Sequence, residues 1–136
     1  MKRLLKISLC VALCAALLLC TAAPAFAATD SHSYTNYSYG VSVNCNSVLN
    51  AIRAKGSITL SFVPNLNHLT ESEYSCGVEI FVKYANDGHT DYYPGLVSGM
   101  STSTIISPHS DVPDFAEFFY YINTDNYSDY WVGLNY

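Results

Sequence analysis

The sequence predicts an all-β protein: a small two-layer antiparallel sandwich of about six strands, immunoglobulin-like in architecture, with one disulfide and one short helix. Three observations point there. Apolar and polar residues alternate over several separate runs, which is the period of a half-buried strand. Clusters of Asn, Asp, Gly and Pro part these runs at short spacing, as in sandwiches and small barrels. Two cysteines, Cys45 and Cys76, both fall on the apolar positions of their runs.

The chain opens on a different kind of segment. Lys2, Arg3 and Lys6 precede an apolar run from Ile7 to Leu19, and small residues then lead to Ala25-Phe26-Ala27. That order of charge, apolar stretch and A-x-A is a secretory signal peptide, with cleavage expected between Ala27 and Ala28. A membrane anchor is the competing reading. The uninterrupted apolar core is shorter than the ~20 residues a span needs, and Pro24 follows it closely. The expected organisation is a signal peptide over 1–27 and one secreted domain over 28–136, with no stable membrane insertion once the leader is gone.

Along that domain, the first strand is read from the odd positions Tyr37, Tyr39, Val41, Val43 and Cys45, which alternate with Ser38, Gly40, Ser42 and Asn44. Core packing then accounts for Tyr37 and Tyr39. A short helix is expected over 47–55, capped by Asn46 and ended by Gly56. Residues 57–63 place Ile58, Leu60 and Phe62 on one face. Residues 74–84 place Tyr74, Cys76, Val78, Ile80, Val82 and Tyr84 together, opposite Glu79 and Lys83. Asp87-Gly88 is turn chemistry, because glycine tolerates positive φ. Further strands are expected from Tyr92 and over 102–106, with a loop over 107–114. Residues 115–123 are apolar on both faces, as in a central strand; Phe115, Phe118, Phe119 and Ile122 also fit helical spacing, but the aromatic richness favours a strand. Residues 130–136 close the chain with Tyr130, Val132, Leu134 and Tyr136 on one face.

The cysteine count supports the compartment. Cys10, Cys14 and Cys20 lie in the leader, which leaves one even pair. In an exported chain that pair reads as a Cys45–Cys76 disulfide across the core, closing a loop of about 30 residues and contributing roughly 3–4 kcal/mol. The architectural analogy to immunoglobulin domains lacks their core tryptophan: Trp131 lies after both cysteines.

Charge excludes several functions. Residues 28–136 hold eleven acids against Arg53, Lys55 and Lys83, a net charge of −8, and residues 84–136 hold seven acids and no Lys or Arg. Nucleic acid, whose binders carry basic stripes, is excluded as a partner, and so are anionic membrane surfaces. Asp87, His89 and Asp91 fall short of a metal ligand set, so no metal and no cofactor are expected. No G-x-S-x-G or H-E-x-x-H occurs. The carboxylate pairs Glu71/Glu73 and Asp114/Glu117 are the residue of a small-hydrolase reading, set aside because so short a chain rarely builds a deep cleft. Asn36 and Asn126 each open an N-Y-S sequon, relevant only where N-glycosylation operates.

What remains is aromatic content: 18 of the 109 residues of 28–136 are Tyr, Phe or Trp. Tyrosine offers contact area with a polar tip and is common at recognition surfaces. Tyr34, Tyr92, Tyr93, Tyr127 and Trp131 lie in loops or off the expected core faces and are the candidate binding residues. The expected function is therefore a secreted, non-catalytic domain that binds an extracellular protein or glycan through exposed aromatics. A secreted toxin or bacteriocin-like effector is the alternative.

Overall fold

The computed structural model describes residues 27–86, 88–106 and 111–136. The leader expected over 1–27, with Cys10, Cys14 and Cys20, lies outside them but for Ala27, and so do Asp87 and residues 107–110 of the loop expected over 107–114.

The alternating runs form strands, and they form more of them than six. In chain order these are β1 (Ala28–Asn36), β2 (Val41–Asn50), β3 (Arg53–Phe62), β4 (Ser75–Tyr84), β5 (Gly88–Tyr92), β6 (Val97–Ser98), β7 (Ser101–Ile106), β8 (Pro113–Ile122) and β9 (Tyr130–Asn135). The one helical piece among the described residues is a 3-10 turn, Glu71–Glu73, where the Glu73 carboxylate accepts from the Thr70 N–H and hydroxyl. Two antiparallel sheets result. Sheet A has the order β1-β2-β3-β7, and sheet B the order β5-β4-β8-β9, with β6 beside β4 as well.

The first strand departs from the expectation. The alternation through Tyr37 and Tyr39 suggests a strand start at 37, but residues 37–40 turn. The Asn36 side-chain oxygen accepts the Tyr39 N–H at 3.2 Å, and Gly40 takes φ +66°. Tyr37 is thus 76 % exposed rather than in the core. The strand before the turn, β1, escapes periodicity because Asp30 and His32 occupy two of its inward positions, opposite Ser47 and Cys45. The helix expected over 47–55 is absent as well. β2 runs on to Asn50, whose side chain accepts the Ile52 and Arg53 N–H groups at 3.0 and 2.9 Å and closes a two-residue hairpin into β3. Residues 115–122 are strand, in the central strand β8 between β4 and β9.

The core lies between the sheets. It is built from Val41, Val43, Cys45 and Leu49 of β2, Ile58 and Leu60 of β3, Val78, Ile80 and Val82 of β4, and Ala116, Phe118, Tyr120 and Ile122 of β8. Two buried polar links cross it. Tyr120 of β8 donates to the Asn46 carbonyl at 2.8 Å and lies 2.6 Å from the Ser47 hydroxyl of β2. Thr104 of β7 donates to the Val78 carbonyl of β4 at 2.8 Å.

Those links explain why the expected disulfide does not form. They set β2 over β8, and β3 and β7 over β4. Cys45 therefore faces β8, whereas Cys76 sits one strand further across, its Sγ 3.6 Å from the Gly99 carbonyl. Both cysteines are buried free thiols, not at bonding distance. The strand order also differs from the immunoglobulin one, in which the second and third strands belong to opposite sheets. Here β1, β2 and β3 are a continuous meander in one sheet.

Candidate functional site

The outer face of sheet B is built by the odd residues of β4, β8 and β9. Register places Trp131, Phe119 and Glu79 in one row across β9, β8 and β4. Gly133, Glu117, Phe81 and Asp91 form the next row, and Asn135, Phe115, Lys83 and His89 the third. Phe81 stacks on His89 with centroids 5.0 Å apart. Phe115 leans over Gly133, where a Cβ would come within 2.9 Å of its ring. Just past β5, Tyr93 folds back over Gly77 and packs at a tilt against Tyr121, with ring centroids 5.0 Å apart; a Cβ on Gly77 would meet the Tyr93 ring at 3.1 Å. The face is thus a half-buried aromatic layer, from which Trp131 projects at 58 % exposure.

Carboxylates are set into this layer. Tyr121 donates to the Glu79 carboxylate at 2.5 Å, and Asp91 lies beside the same group. Burial, with Asp91 adding, holds the Glu79 carboxyl above its ordinary range, against the lowering effect of the Tyr121 bond. Burial also raises the Tyr121 hydroxyl, and its bond to Glu79 raises it further.

The loops at one end of the sandwich form a second surface. Residues 37–40, 63–70 and 123–129 meet there. The Val63 N–H donates to the Gly40 carbonyl at 3.1 Å, the Tyr74 hydroxyl donates to the Tyr39 carbonyl, and the Leu69 N–H reaches that hydroxyl at 3.2 Å. The Asn36 amide donates to Asp129 at 3.2 Å, which ties the third loop to the first. Between the first two loops lies a shallow hollow of about 280 Å³ lined by Ser38, Tyr39, Asn67, His68 and Leu69.

The five aromatic candidates from the sequence are divided among these places. Tyr93 and Trp131 share the outer face of sheet B. Tyr127 is 64 % exposed in the loop after β8. Tyr92 lies opposite Ile80, on the other side of β5, and lines a hollow with Thr90, Ile105 and Ile106. Tyr34 faces inward from β1, near His32 and Tyr130. The sequence reading missed Phe119 and Tyr121, because they stand in a run that is apolar on both faces, and Phe81, because it sits between Glu79 and Lys83 on the polar face of its run.

The inner side of β1 brings together Asp30, His32 and Cys45, residue types that elsewhere make a thiol nucleophile. The arrangement here does not. His32 stacks on Tyr130 at 4.3 Å, and the Tyr130 hydroxyl donates to the Asp30 carboxylate at 3.0 Å. Burial first, then the carboxylates of Asp129 and Asp30, push the Cys45 thiol up to about 12, which keeps it protonated. The carboxylate pairs named from sequence do not converge on a cleft either. Glu73 is bound to Thr70, and Glu117 lies on the outer face while Asp114 is exposed at the start of β8. Of the two sequons, Asn36 has its amide engaged by Asp129 and Asn126 is exposed.

Fold and surfaces together define an antiparallel β-sandwich with an aromatic sheet face and a structured loop end. Compared with family models, curated proteins and solved structures, the chain matches none.

Proposed function

We propose that this chain is a secreted, non-catalytic binding module whose outer face of sheet B receives a basic surface of an extracellular protein. The observation that carries the reading is the row of Trp131, Phe119 and Glu79 beside the tilted Tyr93–Tyr121 pair: a half-buried aromatic layer with Trp131 exposed and carboxylates set into it. Arginine and lysine side chains are the natural occupants of such a face. Their cations are attracted by aromatic rings and by carboxylates at once. The second half of the chain, with seven acids and no Lys or Arg over residues 84–136, favours the same sign of partner.

The test uses a fluorescent deca-arginine peptide, with deca-glutamate as control, at low and moderate salt. Wild type binds the basic peptide and not the acidic one. Trp131→Ala leaves the net charge unchanged, so a purely non-specific charge attraction survives it, whereas a seated cation weakens by about 2- to 30-fold, the span of cation–π energies of ~0.5–2 kcal/mol. Equal affinity of the variant and wild type refutes this face as the binding surface.

A further inference from the structure

We propose that the hollow at the loop end is a second, separate binding site, and that it takes one uncharged sugar ring of a glycan. Ser38, Tyr39, Asn67, His68 and Leu69 line it, and the first four carry a hydroxyl, a phenol ring, an amide and an imidazole. Aromatic faces stack on the C–H faces of a pyranose, and amide, hydroxyl and imidazole groups read its hydroxyls by donating and accepting. The Ser38 hydroxyl and the Asn67 amide hold no hydrogen bond to another described residue. His68 Nδ1 lies 2.9 Å from the Leu69 carbonyl, an acceptor only, so Nδ1–H donates there and Nε2 is the ring nitrogen left for a ligand. Stacking on Phe62 at 4.1 Å fixes the ring plane.

Two features narrow the class of ligand. No Asp, Glu, Lys or Arg lines the hollow, and the carboxylate of the third loop that acts on Tyr39, Asp129, already accepts from the Asn36 amide and the Ile122 N–H, so a neutral ring is matched better than a charged one. The hollow of about 280 Å³ is below the ~300–1,000 Å³ of pockets for drug-sized molecules, and suits one ring rather than an extended ligand. The site is also built before the ligand arrives. A Cβ at Gly40 would lie 2.1 Å from the Asn67 carbonyl oxygen, so the two loops are in direct backbone contact, which the bonds from Val63 and Tyr74 lock. Ordering costs at binding are correspondingly small. The exposed ring of Tyr37 stands beside Ser38, available to a second sugar unit or to the rest of a glycan.

The experiment is amide NMR of the full chain titrated with the methyl glycosides of glucose, galactose and mannose, with glucuronate and glucosamine as charged controls. A single ring in a shallow site binds in the millimolar range, near −4 kcal/mol. The expected result is saturable shifts confined to residues 37–40 and 66–69 with at least one neutral glycoside. Asn67→Ala weakens that binding tenfold or more, and Trp131→Ala leaves it unchanged, which separates this site from the sheet face. Absence of saturable shifts with all three glycosides overturns the proposal, as do shifts centred on the outer face of sheet B. Equal binding of the charged sugars overturns the assignment to a neutral ring.

Discussion

Tyr120 provides the sharpest test of how the two sheets are joined. Its ring is fully buried, and its hydroxyl donates to the Asn46 carbonyl at 2.8 Å. That donation uses the only phenolic proton, so the 2.6 Å contact with Ser47 requires the serine to donate. Tyr120→Phe keeps the ring and its packing, opens no cavity, and leaves the Ser47 hydroxyl without its acceptor at 1 % exposure, where water does not replace it. An unsatisfied buried polar group costs about 1–3 kcal/mol, so the variant is expected to lose roughly 2 kcal/mol of stability. Ser47→Ala removes the donor and leaves Tyr120 its second bond, at a cost near 1 kcal/mol. The double variant should cost less than the two added together, by about 0.5–1.5 kcal/mol, because both single changes remove the same bond. The assay is urea unfolding followed by far-ultraviolet circular dichroism, with an unchanged m-value confirming that the unfolding reaction is the same. A Tyr120→Phe protein within 0.5 kcal/mol of wild type, or an additive cycle, refutes the argument.

Other outcomes follow from the site and the core. Cys45 and Cys76 have thiols pushed up by burial to about 12 and about 11. Iodoacetamide at pH 8 should therefore leave both unmodified in the native protein and label both in guanidinium, as read by peptide mass; a Cys45–Cys76 linked peptide would contradict the structure. Glu79 titrates above its ordinary value when folded, so the folded state binds that proton more readily than the unfolded chain. Its contribution to stability falls as pH rises from about 4.3 toward neutrality. Glu79→Gln removes this loss, and its melting temperature relative to wild type should climb between pH 4 and pH 7. A constant difference across that range rules out the burial argument.

The sequence made some of this legible and hid the rest for identifiable reasons. β3 and β4 are plain in the alternation of Ile58, Leu60 and of Val78, Ile80, Val82, because one face of each meets the core and the other meets solvent. β1 is hidden because Asp30 and His32 point inward at the margin of the sandwich, where a tyrosine and water-accessible space replace a dry core. The disulfide expectation shows what periodicity lacks. It assigns a residue to a face and carries no information on which strand of the other sheet lies opposite. The sheet-face site was half visible. Consecutive residues of an extended chain point to opposite sides, so Tyr92 and Tyr93 were bound to part, and only one of them joins Trp131. Phe119 and Tyr121 left no trace, since a strand apolar on both sides announces burial and not which side a partner sees, and Phe81 is hidden by Glu79 and Lys83 on either side of it on the outer face of β4. The loop end left a cue in Asn36 and Gly40, four residues apart and bracketing two tyrosines.

The two unbridged sulfurs, one in each layer, have a use as internal clocks. Each can be modified only while its own layer is open, so under slow-reclosing conditions the two labelling rates are two opening rates, measured without adding a probe. Matching rates would mean that the layers part together as one cooperative unit. A faster rate at Cys76 would mean that the layer bearing Trp131 loosens first, and that the proposed protein-facing surface is also the mobile half of the molecule.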